Sequence, residues 1–215
     1  ELRKKMIFEL LCKILRENGE EIKGLYERND VKIRLLEGME EYTGFYPLEG
    51  FIEGSCPTET IITENGIKYH VDIAKGQKTG FFLDQKYNRQ AVARISKGKK
   101  VLDCFTHTGA FALNAARGGA VSVTAVDISA DAVAMTVANA KLNGLENKVQ
   151  ALEANVFDLL TQLDDKNSHD YDFIILDPPA FTKSSSTVVN ALRGYKEINL
   201  KAMKLLPRGG YLATC

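Results

Sequence analysis

No run of apolar residues in this chain approaches the ~20 that a membrane-spanning helix needs, so no such helix is expected. The opening stretch, E-L-R-K-K-M-I-F-E-L, lacks the apolar core and the small-residue cleavage site of a secretory leader. An excess of either charge is missing as well, because 28 Lys and Arg balance 28 Asp and Glu. The chain as a whole therefore advertises no polyanionic partner. Two local basic clusters remain: Lys97, Lys99 and Lys100, and Lys196, Lys201, Lys204 and Arg208. Each reads first as a solvated helix face or turn, and only second as a polyanion contact. Cysteine is sparse and scattered, at Cys12, Cys56, Cys104 and Cys215, with no C-x-x-C pair. His70, His107 and His169 match no metal-ligand spacing. The expectation is a metal-free chain with reduced thiols, in the cytoplasm. Internal repeats and low-complexity segments are also absent, and Ser184-Ser185-Ser186 is only a polar loop.

What is present fits a folded globular protein: 215 residues, 45% apolar and 26% charged. That length allows one large domain or two small ones. The chain opens without methionine and closes on G-G-Y-L-A-T-C, which reads as a strand still in progress. It is expected to be a piece of a longer protein.

Leu2, Met6, Ile7, Leu10, Leu11, Ile14 and Leu15 recur at helical spacing, and Asn18-Gly19 is a stop signal. An amphipathic helix is predicted over residues 2–17. Short mixed segments follow to about Pro57. T-E-T-I-I-T, Asn65-Gly66 and I-K-Y-H-V-D-I then predict a hairpin over 59–73, since Asn-Gly suits a two-residue type I′ turn. Its Ile67, Tyr69, Val71 and Ile73 alternate with polar residues, so one face should be covered. From there helices and strands alternate. Helices are predicted at 84–96, 111–117, 130–142, 156–163 and 188–206, and strands at 100–104, 121–126, 149–153, 171–177 and 211–215. That alternation implies an α/β fold with a parallel sheet of at least five strands. The expected division is a small N-terminal α/β domain over 1–90 and a ligand-binding domain over 91–215.

The strand ends carry the chemistry. F-I-I-L reads as a strand buried on both faces, and it stops at Asp177-Pro178-Pro179, where neither proline can donate to a ladder. A carboxylate and a stiff turn thus sit at the carboxyl end of a central strand, where open α/β sheets bind ligands. The strand V-L-D-C runs into F-T-H-T-G-A-F, with a single glycine, Gly109, at the start of a helix. The G-x-G-x-x-G of a dinucleotide site is missing, which argues against a nicotinamide oxidoreductase and suits a ligand without phosphates. The next strand ends at Asp127, which can accept from both hydroxyls of a ribose. It could instead cap the following helix, a role open to Ser129 as well. The strand after that ends at Glu153-Ala154-Asn155. There Asn155 could read an adenine amino group or simply cap a helix. A nucleoside without phosphates over a parallel sheet points to S-adenosylmethionine.

Together V-L-D-C-F-T-H-T-G-A-F, V-D-I-S, N-A-K-L-N-G-L, L-D-P-P-A-F-T-K-S and Q-K-T-G-F-F-L-D-Q-K-Y-N-R resemble the class I S-adenosylmethionine-dependent methyltransferases. The nearest resemblance is to the large-subunit ribosomal RNA methyltransferases of the cytosine-C5 type. It covers roughly residues 40–215. It implies a Rossmann-like sheet and a ribosomal RNA partner, with the oligomeric state left open. It implies cofactor contacts from Lys78, Thr79, Gly80, Phe82, Asp103, Phe105, Thr106, Gly109, Asp127, Ile128, Asn155, Asp177 and Pro178, with Asp84 and Arg89 bracing the loop. Pro179, Phe181, Lys183 and Arg193 would face the RNA. The chain departs from the family's pattern in lacking the small N-terminal RNA-binding domain and the strands after the fifth. It also has Asn155 where aspartate is commoner, and Cys104 where a bulkier apolar residue is usual.

The aromatic that exocyclic-amine methylation places directly after the prolines is replaced here by Ala180, so carbon or ring-nitrogen chemistry is favoured. Carbon-5 of cytosine needs a thiolate to add at C6, with Asp177 stabilising the adduct. In the family that cysteine follows the fifth strand. Aligning Thr214 puts it two residues past Cys215, which would make Cys215 a buried neighbour rather than the nucleophile. Guanine-N7 methylation, and a cofactor-binding RNA-binding or assembly module without catalysis, are the alternatives.

Overall fold

The computed structural model describes residues 3–47, 56–76, 80–182 and 185–215. The chain forms two compact units, residues 1–61 with 71–82, and residues 62–70 with 83–215.

The first unit begins with helix α1, Lys4–Glu17. Strand β1 (Tyr26–Asn29), the short helix α2 (Ile33–Leu36) and strand β2 (Tyr42–Phe45) follow. β1 and β2 pair antiparallel, with Tyr26 opposite Phe45. Cys12 is buried there among Phe8, Ile22, Leu25 and Tyr46. Met6, Ile7, Leu10, Leu11 and Ile14 are each about half exposed. The periodicity thus located the helix but not its buried side, because α1 packs through Phe8 and Cys12. Glu27, nearly buried, is held by Lys4 at 3.1 Å and by the Asn29 amide at 2.6 Å.

Strands β3 (Glu59–Glu64) and β4 (Ile67–Asp72) form the expected hairpin. Asn65 and Gly66 have φ of +54° and +74°, the two left-handed residues of a type I′ turn. Ile67, Tyr69 and Val71 are buried, as their alternation predicts.

The second unit holds the parallel sheet. Its strands are β5 (Lys100–Cys104), β6 (Ser122–Asp127), β7 (Val149–Glu153), β8 (Phe173–Leu176) and β9 (Tyr211–Thr214). The order is β7-β6-β5-β8-β9, and every neighbouring pair is parallel. Helices α3 (Lys86–Ile95), α4 (Ala110–Arg117), α5 (Ala130–Leu142), α6 (Val156–Asp165) and α7 (Val188–Leu205) connect or flank them. Leu102, Cys104, Val126, Ile174 and Leu176 from the sheet pack with Val156, Leu160, Ile198, Ala202 and Leu205 from α6 and α7. The first strand of the sheet, β5, lies at its centre and the chain winds outward in both directions. That reversal of order makes the carboxyl ends of the central strands a ligand crevice.

The sequence reading divides the chain near residue 90, whereas the hairpin tip, 62–70, belongs with the sheet unit. The reason is a polar network. Arg89 of α3 makes two bonds to Glu64, at 2.7 and 2.9 Å, and both side chains are buried. Tyr69 accepts from the Asn114 amide at 2.9 Å. Asn143, which caps the end of α5, accepts from the Lys68 N–H at 2.8 Å and donates to its carbonyl at 2.7 Å, so the amide mimics a neighbouring strand. Among the described residues no helix is long and apolar enough to cross a membrane.

Candidate functional site

Several acidic side chains, Glu153 at the end of β7 among them, stand at or beside the carboxyl edge of the sheet. Asp103 is the fourth residue of β5 and fully buried. Asp127 ends β6, Asp177 follows β8, and Asp84 precedes α3. The parallel registers pair Asp103 with Ile175 and Cys104 with Leu176, so the ends of β5 and β8 are level.

One oxygen of Asp103, Oδ2, accepts from the Thr106 hydroxyl at 2.6 Å and from the Ala112 N–H at 2.9 Å. The other, Oδ1, is buried and has no hydrogen-bond partner among the described residues. Burial pushes the Asp103 carboxyl up to about 7, against the pull of those two hydrogen bonds and with help from the charges of Asp177 and Asp127. Asp177 is raised as well, first by loss of water. Arg89 draws it down and Asp84 pushes it up. The edge is thus over-supplied with negative charge and holds one unused buried acceptor. A ligand carrying positive charge would relieve both conditions.

The loop from Phe105 to Gly109 alternates left-handed residues: φ is +64° at Phe105, +52° at His107 and +78° at Gly109. Two of these are not glycine, a strain of roughly 1–3 kcal/mol each. Several bonds hold it. Thr106 N–H donates to Val126 O at 2.9 Å, and His107 N–H donates to Asp127 Oδ2 at 2.9 Å. The Thr136 hydroxyl donates to His107 O at 3.2 Å, and the Asn139 amide donates to Thr108 O at 2.9 Å. Burial lowers the pKa of the His107 ring, with Asp127 opposing. A β-carbon on Gly109 would meet Thr136 Cγ2 at 2.8 Å. A side chain there therefore collides with α5 behind the loop and need not project into a ligand.

Asp127 is not the helix cap. Ser129 caps α5, its hydroxyl accepting from Ala132 N–H. The carboxylate of Asp127 instead takes His107 N–H on one oxygen and Ser129 N–H on the other. Each oxygen keeps a second lone pair for a ligand. Asn155 does cap its helix, accepting from Phe157 N–H at 2.9 Å, and it is exposed. Ile128 is exposed and Thr106 is buried. Phe105, Asp177 and Pro178 are partly buried, and Pro179 is exposed. Phe181 lies against Tyr195, Phe157 and Phe105, with ring centroids 4.4, 5.5 and 6.3 Å away. Arg193 is exposed on α7.

Gly80 and Phe82 belong to the first compact unit, where Gly80 has φ of +94° and packs against Val71 and Asp72. Lys78, Thr79 and Lys183 lie outside the described residues. Asp84 and Arg89 do different work: Arg89 is locked to Glu64, whereas Asp84 is exposed and acts on Asp177 through its charge.

Cys215 continues from β9, and its N–H donates to Leu176 O at 3.0 Å, which brings it level with Asp177. Cys215, the last residue of this chain, is exposed here, where the sequence reading expects a buried neighbour. Partial shielding from water, then the carboxylates of Asp177 and Asp103, push its thiol up to about 11. That opposes a thiolate at neutral pH. Cys104 is fully buried and its thiol is raised further still. In the second basic cluster Lys201 is paired with Glu197 and Lys204 with Asp164, as a solvated helix face would be. Among the described residues no His, Cys, Asp or Glu group could hold a metal ion.

Asn139, Thr136 and Glu64 carry much of this site's architecture and were not legible as site residues in the sequence. The N-A-K-L-N-G run was the available signal: its two asparagines, four residues apart, share a helix face.

Residues 49–215 match the family described as S-adenosylmethionine-dependent methyltransferase. The chain is 45% identical over 208 residues to ribosomal RNA large subunit methyltransferase I of Aeromonas salmonicida, a match covering 96% of this chain and 50% of that protein. With the protein of the same name from Shewanella denitrificans it shares 47% identity over 192 residues, covering 88% and 47%. The chain thus spans about half the length of the curated relatives it matches. A solved structure from Streptococcus mutans, described as a SAM-dependent methyltransferase, superposes with a TM-score of 0.74 at 27% identity, covering 99% of this chain and 52% of that one. Another, described as a methyltransferase complexed with SAH, gives 0.75 at 26%, covering 100% and 53%.

Proposed function

The chain belongs to the S-adenosylmethionine-dependent methyltransferases, and from that premise we propose that the complete protein methylates C5 of a cytosine in large-subunit ribosomal RNA. The cofactor supplies an electrophilic methyl group on a sulfonium, and the chain's own residues bind, orient and hold charge. The observation that carries the reading is Asp103 Oδ1, a buried acceptor that has no partner among the described residues and stands near the charges of Asp177 and Asp127. It is a fit acceptor for an ammonium, and the anionic edge suits a cationic ligand. The spare lone pairs of Asp127 suit ribose hydroxyls, and Asn155, although already a helix cap, keeps one for an adenine amine.

Asp177 and the turn behind it are the substrate side of this reading. The Asp177 carboxyl can hydrogen-bond a base edge, and it can stabilise charge developing on the ring during attack. Pro179, Phe181, Lys183 and Arg193 would meet the RNA. The raised thiol of Cys215 makes it a poor candidate for the nucleophile, so a cysteine elsewhere in the complete protein would fill that role. The names of the relatives support the ribosomal substrate.

The test uses the complete parent protein, labelled S-adenosylmethionine and unmodified large-subunit RNA, followed by digestion and mass spectrometry of the labelled nucleoside. The expected product is 5-methylcytidine. Labelled 7-methylguanosine would retain the cofactor and discard the covalent route. No label at all would discard catalysis on this substrate.

A further inference from the structure

The turn that follows Asp177 has few means of holding its own shape. Pro178 and Pro179 have no N–H to give, Pro179 and Ala180 are exposed, and the last ladder bond of β8 with β9 is the one from Cys215 N–H to Leu176 O. Tyr195 of α7 reaches across to this segment. Its hydroxyl accepts from the Phe181 N–H at 3.3 Å and lies 3.4 Å from the Pro179 carbonyl, to which it donates. Its ring packs on the Phe181 ring at 4.4 Å. The residue before it, Gly194, leaves room for that ring, because a β-carbon there would stand 3.2 Å from Phe181 Cδ2. Phe181 in turn touches Phe105 of the left-handed loop and Phe157 of α6. A second tie, between the hydroxyls of Thr182 and Thr187, joins the same segment to the start of α7.

We propose that Tyr195 is a positioning residue for methyl transfer, clamping the Pro179–Phe181 turn so that Asp177 meets the substrate base in one fixed orientation. This inference rests on the reading of Asp177 as the substrate-facing carboxylate. One side chain bridges two backbone groups two residues apart, and the ring contact sets the height of the turn above the sheet. Both hydrogen bonds are long, so the ring carries more of the clamp than the hydroxyl does.

The experiment has two arms. In the 215-residue chain, hydrogen exchange at the Phe181 amide should be faster in Tyr195→Phe than in the native protein, because the acceptor is gone while the ring remains. Unchanged exchange in both Tyr195→Phe and Tyr195→Ala would overturn the clamp whatever the enzyme does. In the complete parent, Tyr195→Phe should lower kcat about 3-fold, the scale of one modest hydrogen bond. Tyr195→Ala should lower it at least about 10-fold, within the ~100-fold that a 1 Å misplacement can cost. In both variants KM for S-adenosylmethionine should stay within about twofold, and kcat should be referred to the folded fraction measured by circular dichroism, so that a loss of folding is separated from a loss of turnover. Faster exchange with unchanged kcat would leave the contact standing and overturn its positioning role. If the native parent transfers no methyl group, the functional reading fails, and the positioning role fails with it, while the exchange arm still reports on the clamp itself.

Discussion

Asn139 joins the left-handed loop to the hairpin: its amide nitrogen donates to Thr108 O at 2.9 Å, and its oxygen accepts from His70 N–H at 2.8 Å. The side chain is fully buried, so neither bond is exchanged for one to water. Asn139→Ala would strand a buried carbonyl and an amide, at about 1–3 kcal/mol per unsatisfied group. Denaturant unfolding should register that loss. Asn139→Asp should be worse than its near-identical shape suggests, because it turns an acceptor toward the Thr108 carbonyl. An Asp variant as stable as the native chain would remove this role.

The pairing of Arg89 with Glu64 is a buried ion pair with two hydrogen bonds. Such pairs cost most when half of them is removed, about 3–5 kcal/mol. Glu64→Ala should therefore destabilise the chain far more than the paired substitution Glu64→Leu with Arg89→Met. Arg89 also lowers the pKa of Asp177, so the paired variant should show an Asp177 carboxyl raised further, readable by carbon-detected NMR titration. Equal destabilisation by the single and paired variants would contradict the argument.

Asp103 makes stability depend on pH in an unusual direction. Its carboxyl titrates near 7 in the folded chain, against an ordinary value of 3.8. Between those limits the folded state binds the extra proton, so unfolding free energy falls as pH rises. The slope from this one group is at most about 1.4 kcal/mol per pH unit. Asp103→Asn should flatten that part of the profile. A bound cationic ligand should do the same by favouring the ionised form, so the gain in Tm on adding S-adenosylmethionine should grow from about pH 5 to about pH 7. A gain that shrinks over this range would count against Asp103 as its acceptor.

Gly109 tests the loop from behind. Its left-handed φ and its closeness to Thr136 both oppose a side chain. Gly109→Ala should cost about 1–2 kcal/mol from backbone strain alone, plus the collision. Adding Thr136→Ser removes the methyl at 2.8 Å and should restore part of the loss in a thermal melt. No recovery in the double variant would mean that the strain, and not Thr136, sets the cost.

The sheet was legible because each strand is a short apolar run with a stop signal. The bounds of β5, α5 and β7 coincide with those read from sequence. The positions of the carboxylates were legible for a related reason: each aspartate closes an apolar run, which puts it at the carboxyl end of a strand. Beyond α1 and the hairpin, the N-terminal unit was not legible. Its strands β1 and β2 are four residues long, too short for a period to emerge. The helix α1 was readable, yet its apolar stripe and its buried side differ. Asn139 and Asn143 were recognisable as a motif, but their partners lie 69 and 75 residues away in the chain, beyond any local pattern.

Whether the cofactor sits on the carboxylate edge can be read by titrating S-adenosylmethionine into the chain and into its Asp127→Ala variant, followed by calorimetry. Single-site binding to the native chain is expected, with at least about 10-fold weaker binding to the variant, the scale of a lost charge-assisted hydrogen bond. Equal affinity for both proteins, or no binding by the native chain, would contradict the placement of the cofactor on this carboxylate edge.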